Sequence, residues 1–143
     1  MARPYLGGSN AAIKTLTATT VLTHADSGKT FLLDGSGVED AALRVTLPSA
    51  KAGVDFRFIV KAIGNEAAED IEIHQAGASD DFVGFIISGG DTIAAAASDN
   101  TKIVFDQSGG GANVGDWVYM ISDGTNWYIS GAMSTNSDID IAV

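Results

Sequence analysis

One segment near the C-terminal end constrains the fold more than any other part of the chain. Two runs of aromatic and β-branched residues, 117–122 and 127–131, flank a turn that begins with Asp123-Gly124. An Asp-Gly pair between two such runs is a strong signal for a β-hairpin. A type I′ turn needs positive φ at both central residues, and Asp123 and Gly124 can adopt it. The segment therefore predicts a hairpin closed by a type I′ turn, in a β protein.

Short runs of alternating apolar and polar residues predict further strands. The residues predicted to face inward in two of these runs are Leu43, Val45, Leu47, Phe56, Phe58 and Val60. Other predicted strands occupy 15–23, 30–34, 71–74, 83–87, 102–105 and 138–143. Such closely spaced strands, with turns between them and no helical stripe, predict one all-β domain over residues 15–143. The predicted form is an antiparallel β-sandwich or barrel, jelly-roll-like, without an internal repeat.

Residues 1–14 are predicted to form an extended N-terminal arm. The segment holds Pro4, two glycines, Ser9 and Asn10, and shows neither a helical nor a strand period. Two interpretations are open: a disordered terminus, or an arm that orders on a neighbouring subunit. In the second interpretation Tyr5 and Leu6 are the anchoring contacts.

Composition and charge narrow the range of partners. The chain of 143 residues carries 8 Lys and Arg against 18 Asp and Glu, a net charge of −10, so no nucleic-acid partner is expected. It contains no cysteine, which excludes disulfides and thiolate chemistry. No apolar run of about 18 residues is present to span a bilayer, so no membrane partner is expected. The first residues lack the apolar region of a signal peptide, and we expect synthesis in the host cytoplasm.

The segment 27–30, Ser-Gly-Lys-Thr, looks like the end of a phosphate-binding loop. That loop also requires an earlier glycine, where this chain has Thr23, and a helix directly after the Lys-Thr pair. Here Phe31 and the leucines that follow predict a strand. We therefore interpret the segment as a turn with Gly28 at positive φ.

Residues able to bind metals or to catalyse reactions are few. The candidates are the two histidines and three groups of neighbouring carboxylates: His24, His74, Glu69, Asp70, Asp80, Asp81, Asp138 and Asp140. Their spacing fits no known calcium loop or catalytic motif, so we interpret them as surface or turn residues. The sequence predicts no cofactor, no metal and no enzymatic activity.

The aromatic residues of the predicted hairpin are candidates for a contact surface. They are Trp117, Tyr119, Trp127 and Tyr128. Trp117, Tyr119 and Ile121 share one face of their strand, and the opposite face, with Val118 and Met120, is apolar as well. A strand that is apolar on both faces is covered on both faces, which indicates a core on one side and a subunit contact on the other. The alternative is a platform on which sugar rings stack.

Several segments of the chain resemble a group of small β-rich virion proteins and domains from tailed phages, including phages of marine bacteria. The resemblance covers about residues 15–131 and depends on the order and spacing of the segments 16–18, 26–31, 45–48, 52–56, 115–118 and 122–128. It implies a structural role without catalysis. The implied function is that of a capsid decoration or cement protein, which binds the outer surface of the head and stabilises the shell by bridging capsomers.

The resemblance also implies partners and a location. The expected partners are the major capsid protein and further copies of this chain, as a homotrimer, on the outer surface of the capsid. The alternative is a tail-fibre or receptor-binding module. The expected subunit or capsid contact residues are Tyr5, Leu6, Trp117, Tyr119, Trp127 and Tyr128. In the tail alternative the Trp-Tyr hairpin is the expected receptor surface.

Overall fold

The computed structural model describes residues 12–37, 42–64, 70–77, 80–89, 91–95, 101–106, 111–134 and 139–142. These residues form an all-β protein of twelve strands. In chain order the strands are β1 (Ile13–Leu16), β2 (Thr20–Val21), β3 (Thr30–Asp34), β4 (Leu43–Thr46), β5 (Asp55–Ala62), β6 (Ile71–His74), β7 (Phe82–Ser88), β8 (Asp91–Ala95), β9 (Lys102–Phe105), β10 (Trp117–Ser122), β11 (Trp127–Met133) and β12 (Ile139–Ala142). The one helix within these ranges is a single 3-10 turn, His24–Asp26.

The strands form two sheets. The seven-stranded sheet has the order β1-β3-β5-β10-β11-β7-β8, and the five-stranded sheet has the order β12-β9-β6-β4-β2. Buried residues from both sheets join in one hydrophobic cluster, an arrangement compatible with a β-sandwich. The strand predicted at 138–143 is confirmed as β12.

The first six strands alternate between the two sheets. Strands β1, β3 and β5 run parallel in one sheet, and β2, β4 and β6 run parallel in the other. A chain that crosses to the second sheet and returns comes back in its original direction, which produces parallel pairs. The prediction of antiparallel sheets is therefore wrong: both sheets are mixed. The first six strands thus wind from one sheet to the other and back. No sequence repeat of fixed length accompanies this winding.

The predicted C-terminal hairpin is confirmed, and it lies inside the seven-stranded sheet. Strand β10 pairs antiparallel with β5, and β11 pairs parallel with β7. The hairpin thus fills the space between two strands that come earlier in the chain. Antiparallel pairing of β10 with β11 starts at Ser122 and Trp127.

The hairpin turn differs from the predicted one. Four residues, 123–126, connect the strands, so a two-residue type I′ turn is wrong. The Asp123 carboxylate accepts hydrogen bonds from the backbone N–H groups of Thr125 and Asn126, at 2.8 and 2.9 Å. These bonds stabilise the longer loop, because an Asp side chain can satisfy backbone donors two and three residues ahead. Gly124 has a positive φ of 104°.

The core confirms the predicted alternation of the strands. All six residues predicted to face inward on β4 and β5, and at the end of β4, are buried: Leu43, Val45, Leu47, Phe56, Phe58 and Val60. Aromatic rings dominate the centre of the core, with ring centroids 5.6 to 6.2 Å apart among Phe31, Phe56, Phe58 and Trp127. These distances suit tilted and offset aromatic pairs.

Two glycines allow the central strands to pair closely. A Cβ atom at Gly84 in β7 would overlap the carbonyl oxygen of Ile129 in β11, and Gly84 has a φ of +139°. A Cβ atom at Gly131 in β11 would lie 2.5 Å from the carbonyl oxygen of Trp117. A side chain at Gly84 would push β7 away from the hairpin, and one at Gly131 would push the two strands of the hairpin apart.

The N-terminal end of the fold differs from the predicted boundary. Strand β1 begins at Ile13, so Ile13 and Lys14 belong to the sheet and not to an arm. The rest of the predicted arm, including Tyr5 and Leu6, lies outside the described residues except for Ala12.

Candidate functional site

The outer face of the seven-stranded sheet carries a row of exposed aromatic and aliphatic side chains. We call it the aromatic face and define it by Trp117, Tyr119, Ile121, Tyr128, Phe85 and Ile87. Strand register brings these residues together across β10, β11 and β7. Phe85 is 51% exposed and Trp117 is 37% exposed, although both are large apolar side chains.

The aromatic face continues towards β1. Ile59 on β5 and Leu32 on β3 are aligned in register with Trp117, and Ile13 on β1 is aligned with Tyr119 through Thr30 and Arg57. Of the eight large hydrophobic residues exposed in the described part of the chain, six lie on this face. Contiguous apolar patches of this kind indicate a site of association.

A small polar group lies within the aromatic face. The Arg57 guanidinium lies 5.9 Å from the centre of the Tyr119 ring, a cation–π distance. Burial, together with the nearby negative charge of Asp55, raises the pKa of the Tyr119 hydroxyl above its usual value. Arg57 forms no ion pair with any carboxylate among the described residues. A shallow pocket of about 240 Å³ beside it is lined by Arg57, Ile59, Gly115 and Trp117.

The two tryptophans of the hairpin have different environments. Trp127 is fully buried, with its ring centroid 5.6 Å from that of Phe56, so the assignment of Trp127 to a contact surface is wrong. Its predicted companions lie on the aromatic face: Trp117 and Tyr128 are exposed, and Tyr119 is half-buried. The Tyr128 hydroxyl donates a hydrogen bond to the Asp123 carboxylate at 3.0 Å.

Sequence reasoning missed Phe85 and Ile87. The signal was present, because the run 82–87 of β7 is apolar on both faces. The argument that singled out β10 applies equally to this strand: two apolar faces need two apolar neighbours. Parallel pairing with β11 then places Phe85 and Ile87 beside the hairpin.

The outer face of the five-stranded sheet has the opposite character, because it is charged. Glu72 on β6 is buried and lies near three cationic or ionisable side chains: Arg44 at 3.2 Å, His74 at 2.7 Å and Lys102 at 2.9 Å. Burial alone raises the pKa of the Glu72 carboxyl, but hydrogen bonds from Lys102 and His74 outweigh it and lower the pKa from 4.5 to about 2. This cluster keeps a carboxylate charged within the sheet.

The low pKa of Glu72 predicts a loss of stability in acid. The folded protein holds this carboxylate ionised to about pH 2, whereas in the unfolded chain it is protonated below about pH 4.5. The stabilisation is therefore complete above pH 4.5 and is lost as the pH falls towards 2, with a size on the order of 3 kcal/mol. Urea unfolding across this pH range measures it in the wild type and in Glu72→Gln.

We expect Glu72→Gln to be less stable than the wild type at pH 7 and close to it at pH 2. The control is Asp81→Asn, which removes a carboxylate that forms no ion pair with the described residues. At pH 7 it should lose clearly less stability than Glu72→Gln. A Glu72→Gln difference that stays constant with pH would contradict the role assigned to the cluster.

The other sequence candidates form no site in the described part of the chain. Strand β3 follows directly after Lys29, Gly28 has a φ of +79°, and the Lys29 ammonium lies 2.6 Å from the Asp26 carboxylate. The segment 27–30 is thus confirmed as a turn, at residues 27–28, that leads into β3 at Thr30. The His24 ring donates to the carbonyl of Ser49, and Asp80 accepts from the backbone of Ala50.

No group of three metal-ligating side chains comes together among the described residues. In the same ranges, no helix has the length and apolar character needed to cross a bilayer.

Comparisons with protein-family models, with curated proteins and with solved structures found no match for this chain.

Proposed function

We propose that this protein is a structural protein of a tailed-phage particle: a decoration protein that binds the outer surface of the head and stabilises the shell by bridging capsomers. The observation that carries the proposal is the aromatic face, which with its extension to Ile13 holds six of the eight large hydrophobic residues exposed in the described part of the chain. A protein that assembles through such a face functions by the surface that it buries on binding, and this function requires no chemical step. The resemblance of its segments to virion proteins supports the proposal that this assembly is a phage particle.

The contrast between the two outer faces supports this role. The aromatic face favours a protein partner, because its burial removes apolar surface from water. The charged face, built around Glu72, Arg44 and Lys102, favours contact with solvent. A protein with one adhesive side can join a neighbouring subunit on the surface of a larger assembly, and the net charge of −10 keeps the covered particle soluble.

The proposed mechanism is multivalent bridging. A DNA-filled head is under internal pressure, and the shell fails where neighbouring capsomers separate. Each bound copy adds a modest contact area across such a boundary, and many copies on one particle act together. The proposed partners are the major capsid protein and further copies of this chain. The proposed fold that presents the contact surface is a β-sandwich.

A second function is favoured by the pocket beside Trp117. An exposed indole next to an arginine that has no ion pair among the described residues suits a sugar that carries a carboxylate, since the ring can stack on Trp117 and the carboxylate can pair with Arg57. This arrangement fits a tail-fibre or receptor-binding module. Glycan-array binding by the wild type, lost in Trp117→Ala, would support this second function.

The copy number per particle separates the two functions. We expect quantitative mass spectrometry of purified particles to give about one copy per major capsid subunit, or about one per three, as a symmetric shell requires. Tail proteins of the same particle serve as internal controls of low copy number. A ratio of roughly a few copies per hundred capsid subunits would contradict the decoration role and favour the tail.

A further inference from the structure

The edges of the seven-stranded sheet and its aromatic face are two different routes to self-association. Strand β1 lies at one end of the sheet order, and Lys14 on this strand is in register with the buried Phe31. A lysine in the core-facing row of an edge strand blocks the addition of another strand, because its charge would have to be buried. The β1 edge is therefore protected against strand addition, whereas the aromatic face carries no such protection.

The size of the aromatic face matches the smallest stable protein interfaces. Six adjacent strands, from β1 to β7 in the sheet order, and about five residues along each strand cover roughly 29 Å by 17 Å, or about 500 Å². Two such faces in contact remove up to about 1,000 Å² from water, close to the lower limit for a specific interface. One further copy of this chain supplies a partner of the required extent.

The charges on this face are balanced, unlike those of the whole chain. Asp55 and Arg57 both point outward on β5, and Lys61 lies 2.9 Å from Asp34. Apart from Asp123 at the rim, which accepts a hydrogen bond from Tyr128, the charges of the face balance, whereas the chain carries −10. Two acidic copies can therefore approach through this face without strong repulsion.

The order of Asp55 and Arg57 is also self-complementary. A two-fold axis in the interface plane, crossing β5 at right angles near residue 56, reverses this order in the facing copy. Each Arg57, which has no ion-pair partner among the described residues, then lies opposite the Asp55 of the other copy. An isologous interface requires this kind of reciprocal match.

We propose that the aromatic face binds the same face of a second copy of this chain in a two-fold symmetric pair, with Tyr119, Ile121 and Phe85 at its centre and Arg57 opposite Asp55. The proposal rests on the proposed function, since it names the partner that the aromatic face takes within that assembly. Contact with the shell then falls to the remaining surfaces of the pair.

The first test is the oligomeric state of the purified chain, by sedimentation equilibrium over a concentration series. We expect a dimer with a Kd of about 1–100 μM, in keeping with the small interface. Ile121→Lys should shift the protein to monomer. The control is Val114→Lys, because Val114 is 67% exposed and lies outside the aromatic face; it should dimerise as the wild type does.

The second test concerns the charge pairing. Arg57→Glu places carboxylates opposite carboxylates and should raise the Kd about tenfold or more. Lys51→Glu, the same charge change at an exposed loop residue between β4 and β5, should have a clearly smaller effect. Equal effects of the two variants would overturn the proposed pairing.

Three further outcomes would overturn the proposal: a monomer at about 1 mM, a trimer, or a dimer unaffected by Ile121→Lys. Failure of the proposed function is measured separately, by copy number in the particle. A chain that dimerises through the aromatic face but is scarce in particles would leave this inference standing and would remove the decoration role.

Discussion

Replacing Gly84 by alanine is expected to disrupt the seven-stranded sheet. The new Cβ would overlap the carbonyl oxygen of Ile129 in the paired strand β11, and the φ of +139° at this position disfavours any residue with a side chain. Backbone atoms on both sides of the contact cannot rotate away as a flexible side chain would. We expect a loss of at least about 4 kcal/mol in the free energy of unfolding, close to the whole stability of a small domain.

The matched control for this prediction is Gly53→Ala. Gly53 also has a positive φ, of 81°, but a Cβ there meets no atom within 4 Å. Only the backbone penalty applies, so we expect a loss of about 1–2 kcal/mol. Urea unfolding followed by circular dichroism compares the two variants. Similar losses at both positions would mean that β7 and β11 can separate without cost, and the sheet order would have to be reconsidered.

Replacing Trp127 by alanine is the second change with a large expected effect. The side chain is fully buried against Phe56, so its removal loses apolar contacts and leaves a cavity. Truncation of a buried tryptophan costs about 3–5 kcal/mol. Trp117→Ala is the matched variant, because Trp117 lies on the same hairpin and is 37% exposed; its cost should stay below about 1 kcal/mol.

In self-association the order of the two tryptophan variants should be reversed: Trp117→Ala should have the larger effect. We expect Trp117→Ala to weaken self-association while the protein stays folded. Trp127→Ala should lower the urea midpoint and leave the aromatic face chemically intact in the protein that remains folded. Sedimentation and urea unfolding on the same samples measure both effects. Equal loss of stability in the two variants would contradict the division of the hairpin into a core side and a contact side.

Local alternation predicts much of this fold. The inward residues of β4 and β5 follow from a period of two, and the hairpin follows from an Asp-Gly pair between apolar runs. The alternation also carries across the turn: an even number of connecting residues puts Trp127 on the face of Met120, opposite Trp117. The sequence could not say which of these faces is the core, because both are apolar.

Local sequence patterns do not predict which strands pair with each other. Whether β3 pairs with β1 or with β4 depends on the crossing of the chain between sheets, and residues that pair, such as Thr30 and Arg57, are far apart in sequence. The same holds for the extent of the aromatic face. Phe85 joins Trp117 and Tyr119 only because β7 pairs with β11, a contact between segments on either side of β8 and β9.

The position of the hairpin has a consequence for the order in which the protein is completed during synthesis. Strands β5 and β7 are translated well before β10 and β11, which are their partners in the sheet. Strand β7 ends at Ser88, whereas β10 begins only at Trp117. Until then, the nascent chain exposes two sheet edges that the finished protein covers. The hydrogen bonds that join the two parts of the sheet therefore form only after residues 117–133 are made, and this hairpin governs when the two exposed edges stop being prone to aggregate.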